Sequence, residues 1–188
     1  MPLEAYLCSR RQPKENNELI VNTPQQTFRA ALGQFFVKET STENLAAARS
    51  LIERSETAGA DLLVLPECII ARKLGMPEWG QKQAEPLDGP FVSGLREATR
   101  GRRVTVVCTV QAKIANESRY ANDLLVIQNG ELRLTYQKIH LYDAFRGKES
   151  RYAAPGDVLP PVLLIGPFKV GFLTCYDVRF PEMTRALA

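Results

Sequence analysis

Three apolar stretches of this chain each close on a residue able to do chemistry: LLVLPE ends on Glu67, LTYQK on Lys138 and VGFLTC on Cys175. Each has the composition of a buried β-strand, which places the acid, the amine and the thiol where a strand gives way to a loop or helix. In layered α/β architectures sites collect there, outside the carboxyl ends of the strands. Brought together, the three groups could attack a carbonyl carbon, with the thiol as nucleophile, the carboxylate as proton carrier and the ammonium stabilising an oxyanion. Each also has an ordinary reading: an N-cap or surface acid for Glu67, an exposed strand-end lysine for Lys138, core packing for Cys175. Against the last stands the polar Tyr176-Asp177-Val178-Arg179 directly behind the sulfur. At a strand-to-helix turn, free helix amides would favour the thiolate and leave N–H groups for an oxyanion.

The elements that position these residues can be read from pattern. FRAALGQFFV (Phe28 to Val37) reads as a first strand. A helix follows, with a Thr40/Glu43 capping box, Leu45, Ala48 and Ile52 on one face, and Gly59 as its stop. ADLLVLPE reads as a strand buried on both faces, and Pro90 behind Asp88-Gly89 opens a second helix with Phe91 and Leu95 one turn apart. RRVTVVCTVQAKI is the next strand. LLVIQ-NG-ELRLTY is a hairpin, because Asn129-Gly130 suits the positive φ of a type I′ turn. A long loop from Ile139 to Pro161 leads to the strands PVLLI and KVGFLTC, joined at Gly166-Pro167, and a last helix starts near Pro181. The order implies an α/β layered domain with a mixed sheet over residues 28–188, behind a polar extension at 1–27.

Composition sets the outer bounds. Of 188 residues, 24 are basic and 21 acidic, for a net charge of +3, with the basic residues scattered; a nucleic-acid partner is not expected. No apolar run approaches the roughly 20 residues of a membrane span, and the first residues lack the apolar core of a secretory signal. Cys8, Cys68, Cys108 and Cys175 are widely spaced and His140 is the single histidine, a poor supply for a metal; no metal and no cofactor is expected. Unpaired cysteines of this kind suit a reducing cytoplasm. Cys108 and Cys68 are read as small buried apolar residues, although Cys68 adjoins Glu67.

The blocks DLLVLPE, YQKIHL and FLTCYDVRFPE, in that order, resemble the three signature segments of the nitrilase, or carbon–nitrogen hydrolase, superfamily, with support from EPLDGPF and YANDLLVIQNG. The resemblance implies that the chain is the N-terminal part of a four-layer αββα sandwich. It also implies that Glu67 is the general base, Lys138 the oxyanion-stabilising lysine, Cys175 the nucleophile and the Tyr176 N–H an oxyanion donor. Glu149 matches a second glutamate that orients the lysine; a salt-bridged surface acid is the other reading. Arg179 meets a substrate carboxylate or, more simply, braces the elbow through Glu182 or a carbonyl. KIHLYDAF, then ES and APGD, are most like the branch of amidases acting on deaminated glutathione, near the ω-amidases. This implies a small keto-acid amide as substrate and a homo-oligomer in the complete form.

Other chemistries and outcomes follow from the same residues. A Cys–His thiol hydrolase would use His140, two positions beyond Lys138. Family members continue past the cysteine elbow, whereas this chain stops at MTRALA within a helical pattern. The expectation is an incomplete domain, prone to self-association and inactive alone, or a remnant serving at most as an interaction module.

Overall fold

The computed structural model describes residues 27–145 and 147–188, so the extension assigned to 1–27 lies outside the described residues except for Thr27. Five strands form the main path of a six-stranded mixed sheet: β1 (Ala30–Leu32), β2 (Leu62–Val64), β3 (Thr105–Lys113), β4 (Tyr120–Gln128) and β5 (Glu131–Gln137). β1, β2 and β3 run parallel, then β3, β4 and β5 alternate. The helix α1 (Ser41–Thr57) makes the first crossover, and α2 (Trp79–Gln83) with α3 (Pro90–Thr99) make the second. Downstream come a 3-10 turn at Glu149–Arg151, the two-residue β6 (Ala153–Ala154) beside β4, the hairpin β7 (Leu163–Ile165) and β8 (Phe168–Val170), a 3-10 turn at Cys175–Arg179, and α4 (Pro181–Leu187).

Alternation along the strands builds two cores. Leu63, Val106, Leu125 and Ile127 face α1 and α3, where Ile52, Phe91 and Leu95 are fully buried. Leu62, Val107, Leu124 and Tyr136 face the other way, against Ile165, Phe172 and Met183 of the C-terminal segment. The second layer is what carries Cys175 over the sheet.

Local signals behave as their chemistry requires. The Thr40 hydroxyl accepts from the Glu43 N–H at 3.4 Å and donates to its carboxylate at 2.6 Å, so Glu43 reaches the capping hydroxyl. Asn129 (φ 48°) and Gly130 (φ 79°) close the β4–β5 hairpin with both central residues at positive φ. The strand ends differ from expectation. β1 covers three residues of the ten read from Phe28 to Val37: its partner β2 ends at Val64, and Pro66, the next residue whose backbone would face β1, has no N–H to offer. β8 likewise ends at Val170, five residues short of Cys175. Its partner β7 starts at Leu163 behind Pro160-Pro161, so residues 171–174 have no strand to pair with.

Candidate active site

Glu67 follows β2 on a segment stitched to β3. Leu65 N–H and Ile69 N–H donate to the Val107 and Thr109 carbonyls at 2.8 and 2.9 Å, and Cys68 N–H to Thr109 Oγ1 at 2.7 Å. Between those anchors Cys68 takes φ 56°, a left-handed kink unusual for a side chain this size. Gln111 clamps the next turn, accepting from Ile70 N–H and donating to the Ala71 carbonyl. Lys138 comes directly after β5 and is still in register, its N–H donating to the Asn122 carbonyl at 3.0 Å. Glu149 opens the 3-10 turn that follows the loop.

These elements bring one ammonium and two carboxylates together. Lys138 Nζ lies 3.0 Å from Glu67 Oε1 and 3.1 and 2.9 Å from Glu149 Oε1 and Oε2; the lysine side chain is 1% exposed. Burial works against its charge, but the two carboxylates outweigh it and hold Lys138 above the usual lysine range. Asn122, fully buried on β4, donates Nδ2 to Glu67 Oε1 at 2.8 Å and to Glu149 Oε1 at 3.3 Å. Glu149 Oε2 also takes the Tyr142 N–H at 2.6 Å. Three of the four carboxylate oxygens are thus engaged. Glu67 Oε2 takes no hydrogen bond from a nitrogen or oxygen donor among the described residues.

Cys175 begins its 3-10 turn at φ 47°, an αL conformation that costs a non-glycine residue of order 1 kcal/mol. Asp177 holds the turn in place. Fully buried, it accepts from Tyr136 Oη at 2.8 Å, His140 N–H and Nδ1 at 2.9 Å each, and Thr174 N–H at 3.2 Å. The Nδ1 contact to a carboxylate requires the proton on Nδ1. The His140 ring stacks on Phe180 with centroids 3.5 Å apart, and the Tyr176 ring stands edge-on to both Phe180 and Tyr142. His140 is therefore committed to Asp177 and Phe180, and its Nδ1 is not free to serve as a base for Cys175.

The thiol is not predisposed to ionise, contrary to the expectation drawn from its helix-start position. Partial burial and the neighbouring Glu67 carboxylate push Cys175 up, and Lys138 only partly offsets them. The thiol therefore stays protonated beside a carboxylate whose Oε2 takes no nitrogen or oxygen donor among the described residues. Cys108 is buried, as its packing reading expects, and burial raises its thiol; Cys68 is only half-buried, and burial together with the Glu67 and Glu149 carboxylates raises it.

The structure thus brings Glu67, Lys138, Glu149 and Cys175 together, with Tyr176 adjoining. Arg179 is exposed and makes no ion pair with Glu182 among the described residues, so the bracing expected of it is absent. Sequence reasoning missed Asn122 and Asp177. The available signal was a pair of polar residues, Asn122-Asp123, inside the otherwise apolar β4. A groove beside β1, lined by Leu32, Leu51 and Leu63 with Glu53, Arg54 and Ser55, is separate from these residues.

Fold and site together are a layered α/β domain that gathers a cysteine, a lysine and two glutamates. A carbon–nitrogen hydrolase family profile matches residues 29–188, and the chain belongs to that family. It is 35% identical to the deaminated glutathione amidase of Escherichia coli O157:H7, over 84% of this chain and 60% of that protein. It is 29% identical to an omega-amidase of Danio rerio, over 86% of this chain and 59% of that protein. Among solved structures, a variant of the amidase from Nesterenkonia sp. AN1, carrying acrylamide added at its active-site cysteine, superposes with a TM-score of 0.73 at 29% identity, covering 85% of this chain and 62% of that one. The chain spans about 60% of the length of these relatives.

Proposed function

We propose that these residues form the catalytic centre of an amidase acting on a small carboxylate-bearing amide, with deaminated glutathione or a similar keto-acid amide as the substrate class. The observation that carries this reading is the one carboxylate oxygen that takes no nitrogen or oxygen donor among the described residues, Glu67 Oε2, beside a thiol that is held protonated. In the proposed cycle Glu67 takes the proton from Cys175 as the sulfur bonds to the amide carbon. The oxyanion is stabilised by the charge of Lys138 and by the Tyr176 N–H. Glu67 returns the proton to nitrogen, the C–N bond breaks, the amine leaves (ammonia from a primary amide, the peptide amine from deaminated glutathione) and a thioester remains on Cys175. Water, deprotonated by Glu67, then splits the thioester to the acid and restores the thiol. The net reaction is amide plus water to acid plus amine, the amine being ammonia where the amide is primary.

Glu149 takes the orienting role in this scheme and Arg179 is a candidate for the substrate carboxylate. The free thiols suit a reducing compartment such as the cytoplasm, and the complete protein is read as a homo-oligomer. Hydrolysis of deaminated glutathione, read as release of its keto-acid and of the peptide amine, and compared with ammonia release from simple primary amides, tests the assignment. Turnover that is lost in Cys175→Ala and Glu67→Gln supports it; equal turnover in Cys175→Ala removes it.

A further inference from the structure

We propose that Asn122 is a positioning residue: its amide pins one oxygen of each glutamate, so that Oε2 of Glu67 is the carboxylate oxygen left to meet Cys175. This rests on Glu67 acting as the base of the proposed reaction. Three contacts converge on the residue. Its carbonyl receives the Lys138 N–H at 3.0 Å, which sets the root of the lysine side chain. Its Nδ2 donates one hydrogen toward Glu67 Oε1 at 2.8 Å and the other toward Glu149 Oε1 at 3.3 Å. Those two oxygens are also the ones Lys138 Nζ reaches at 3.0 and 3.1 Å. The lysine and the amide therefore grip each glutamate from two directions, and rotation that would exchange Oε1 and Oε2 of Glu67 breaks both grips at once.

The orientation of the amide follows from charge. Flipped, Oδ1 would face two carboxylates, so Nδ2 points into the cluster and Oδ1 is left buried with no partner among the described residues. A buried acceptor left unpaired for the sake of two donated bonds marks a residue selected for its donors. A neutral donor is also the only kind that fits. A second cation would balance both carboxylates fully and remove the negative character Glu67 needs as a base, while an acid would crowd a third carboxylate onto one lysine.

The test is a double-mutant cycle read on the sulfur, so that it does not depend on turnover. Iodoacetamide labelling of Cys175 across pH, resolved by peptide mass spectrometry, is measured in wild type, Glu67→Gln, Asn122→Leu and the double variant. Glu67→Gln is expected to move the labelling midpoint of Cys175 down, because the carboxylate no longer opposes the thiolate. That shift measures how firmly Glu67 is held on the sulfur. In the Asn122→Leu background it is expected to fall by at least about half, and where amide turnover is present kcat falls about 100-fold with KM little changed. An unchanged shift overturns the proposal, whatever happens to activity, since a merely structural role leaves the coupling intact. No shift in the wild-type background overturns both this proposal and Glu67 as the base. A reduced shift without wild-type amide turnover supports Asn122 while removing the amidase reading. Asn122→Ser, smaller and polar, runs the same cycle if circular dichroism shows the leucine variant unfolded.

Discussion

Replacing Lys138 with methionine keeps the length and apolar stem of the side chain and removes the charge that holds two carboxylates together. Each ion pair is about 3 Å long. At an effective dielectric of 20 each attraction is worth about 5–6 kcal/mol before the cost of burying the charges. Glu149 is 16% exposed and Glu67 35%, so water recovers part of the second pair. The expected loss is therefore that of breaking a buried pair, about 3–5 kcal/mol, and not the sum of two attractions. The pH dependence is the sharper signature. In wild type the raised lysine contributes its full stability below the unfolded lysine pKa of about 10.4, and so across the whole neutral range. In Lys138→Met two carboxylates share the site without a cation, and one of them is raised above its unfolded value. The variant then loses stability as pH climbs through that raised value and recovers it on acidification. Urea unfolding at pH 8 and pH 5 measures both effects: the gap to wild type is expected to be large at pH 8 and clearly smaller at pH 5. A loss under about 1 kcal/mol, or an equal gap at the two pH values, would refute the buried-cluster reasoning.

Asp123 is 6% exposed and burial pushes its carboxyl up to about 6, above an unfolded value of about 3.9. The resulting penalty is absent below about pH 4 and complete above about pH 6, so Asp123→Asn is expected to stabilise by about 2–3 kcal/mol at pH 7.5 and by nothing at pH 3.5 in urea titrations. Gly130→Val places a β-branched residue at φ 79° in the hairpin turn and is expected to lower stability by about 1–2 kcal/mol, read as a fall in Tm. Leu164 and Phe168 stand exposed on the β7–β8 hairpin, and concentration-dependent self-association is expected on size-exclusion chromatography, reduced in Leu164→Lys.

What the sequence revealed was local in origin. The Asn129-Gly130 turn, the Thr40 cap and the Pro90 helix start each depend on residues a few positions apart. Glu67, Lys138 and Cys175 were legible because each sits at the end of an apolar run and because the ordered blocks resemble a family. Asn122 and Asp177 were not. The Asn122–Glu67 bond joins residues 55 apart and the Tyr136–Asp177 bond residues 41 apart, and nothing in either neighbourhood marks the partner. Strand ends failed for a related reason, since β1 and β8 stop where their partners stop and not where their own apolar character ends. The thiolate expectation failed because a helix-start position was weighed without the partial burial of the sulfur and the carboxylate that folding sets beside it.

The central claim is that Cys175 forms the covalent intermediate with Glu67 moving its protons. Acid-quenched peptide mass spectrometry of the protein mixed with an amide substrate tests it most directly. A thioester mass on the Cys175 peptide of wild type, absent from Cys175→Ala and strongly reduced in Glu67→Gln, is the expected result. Amide turnover with no acyl mass on Cys175, or with the adduct on another residue, would contradict it.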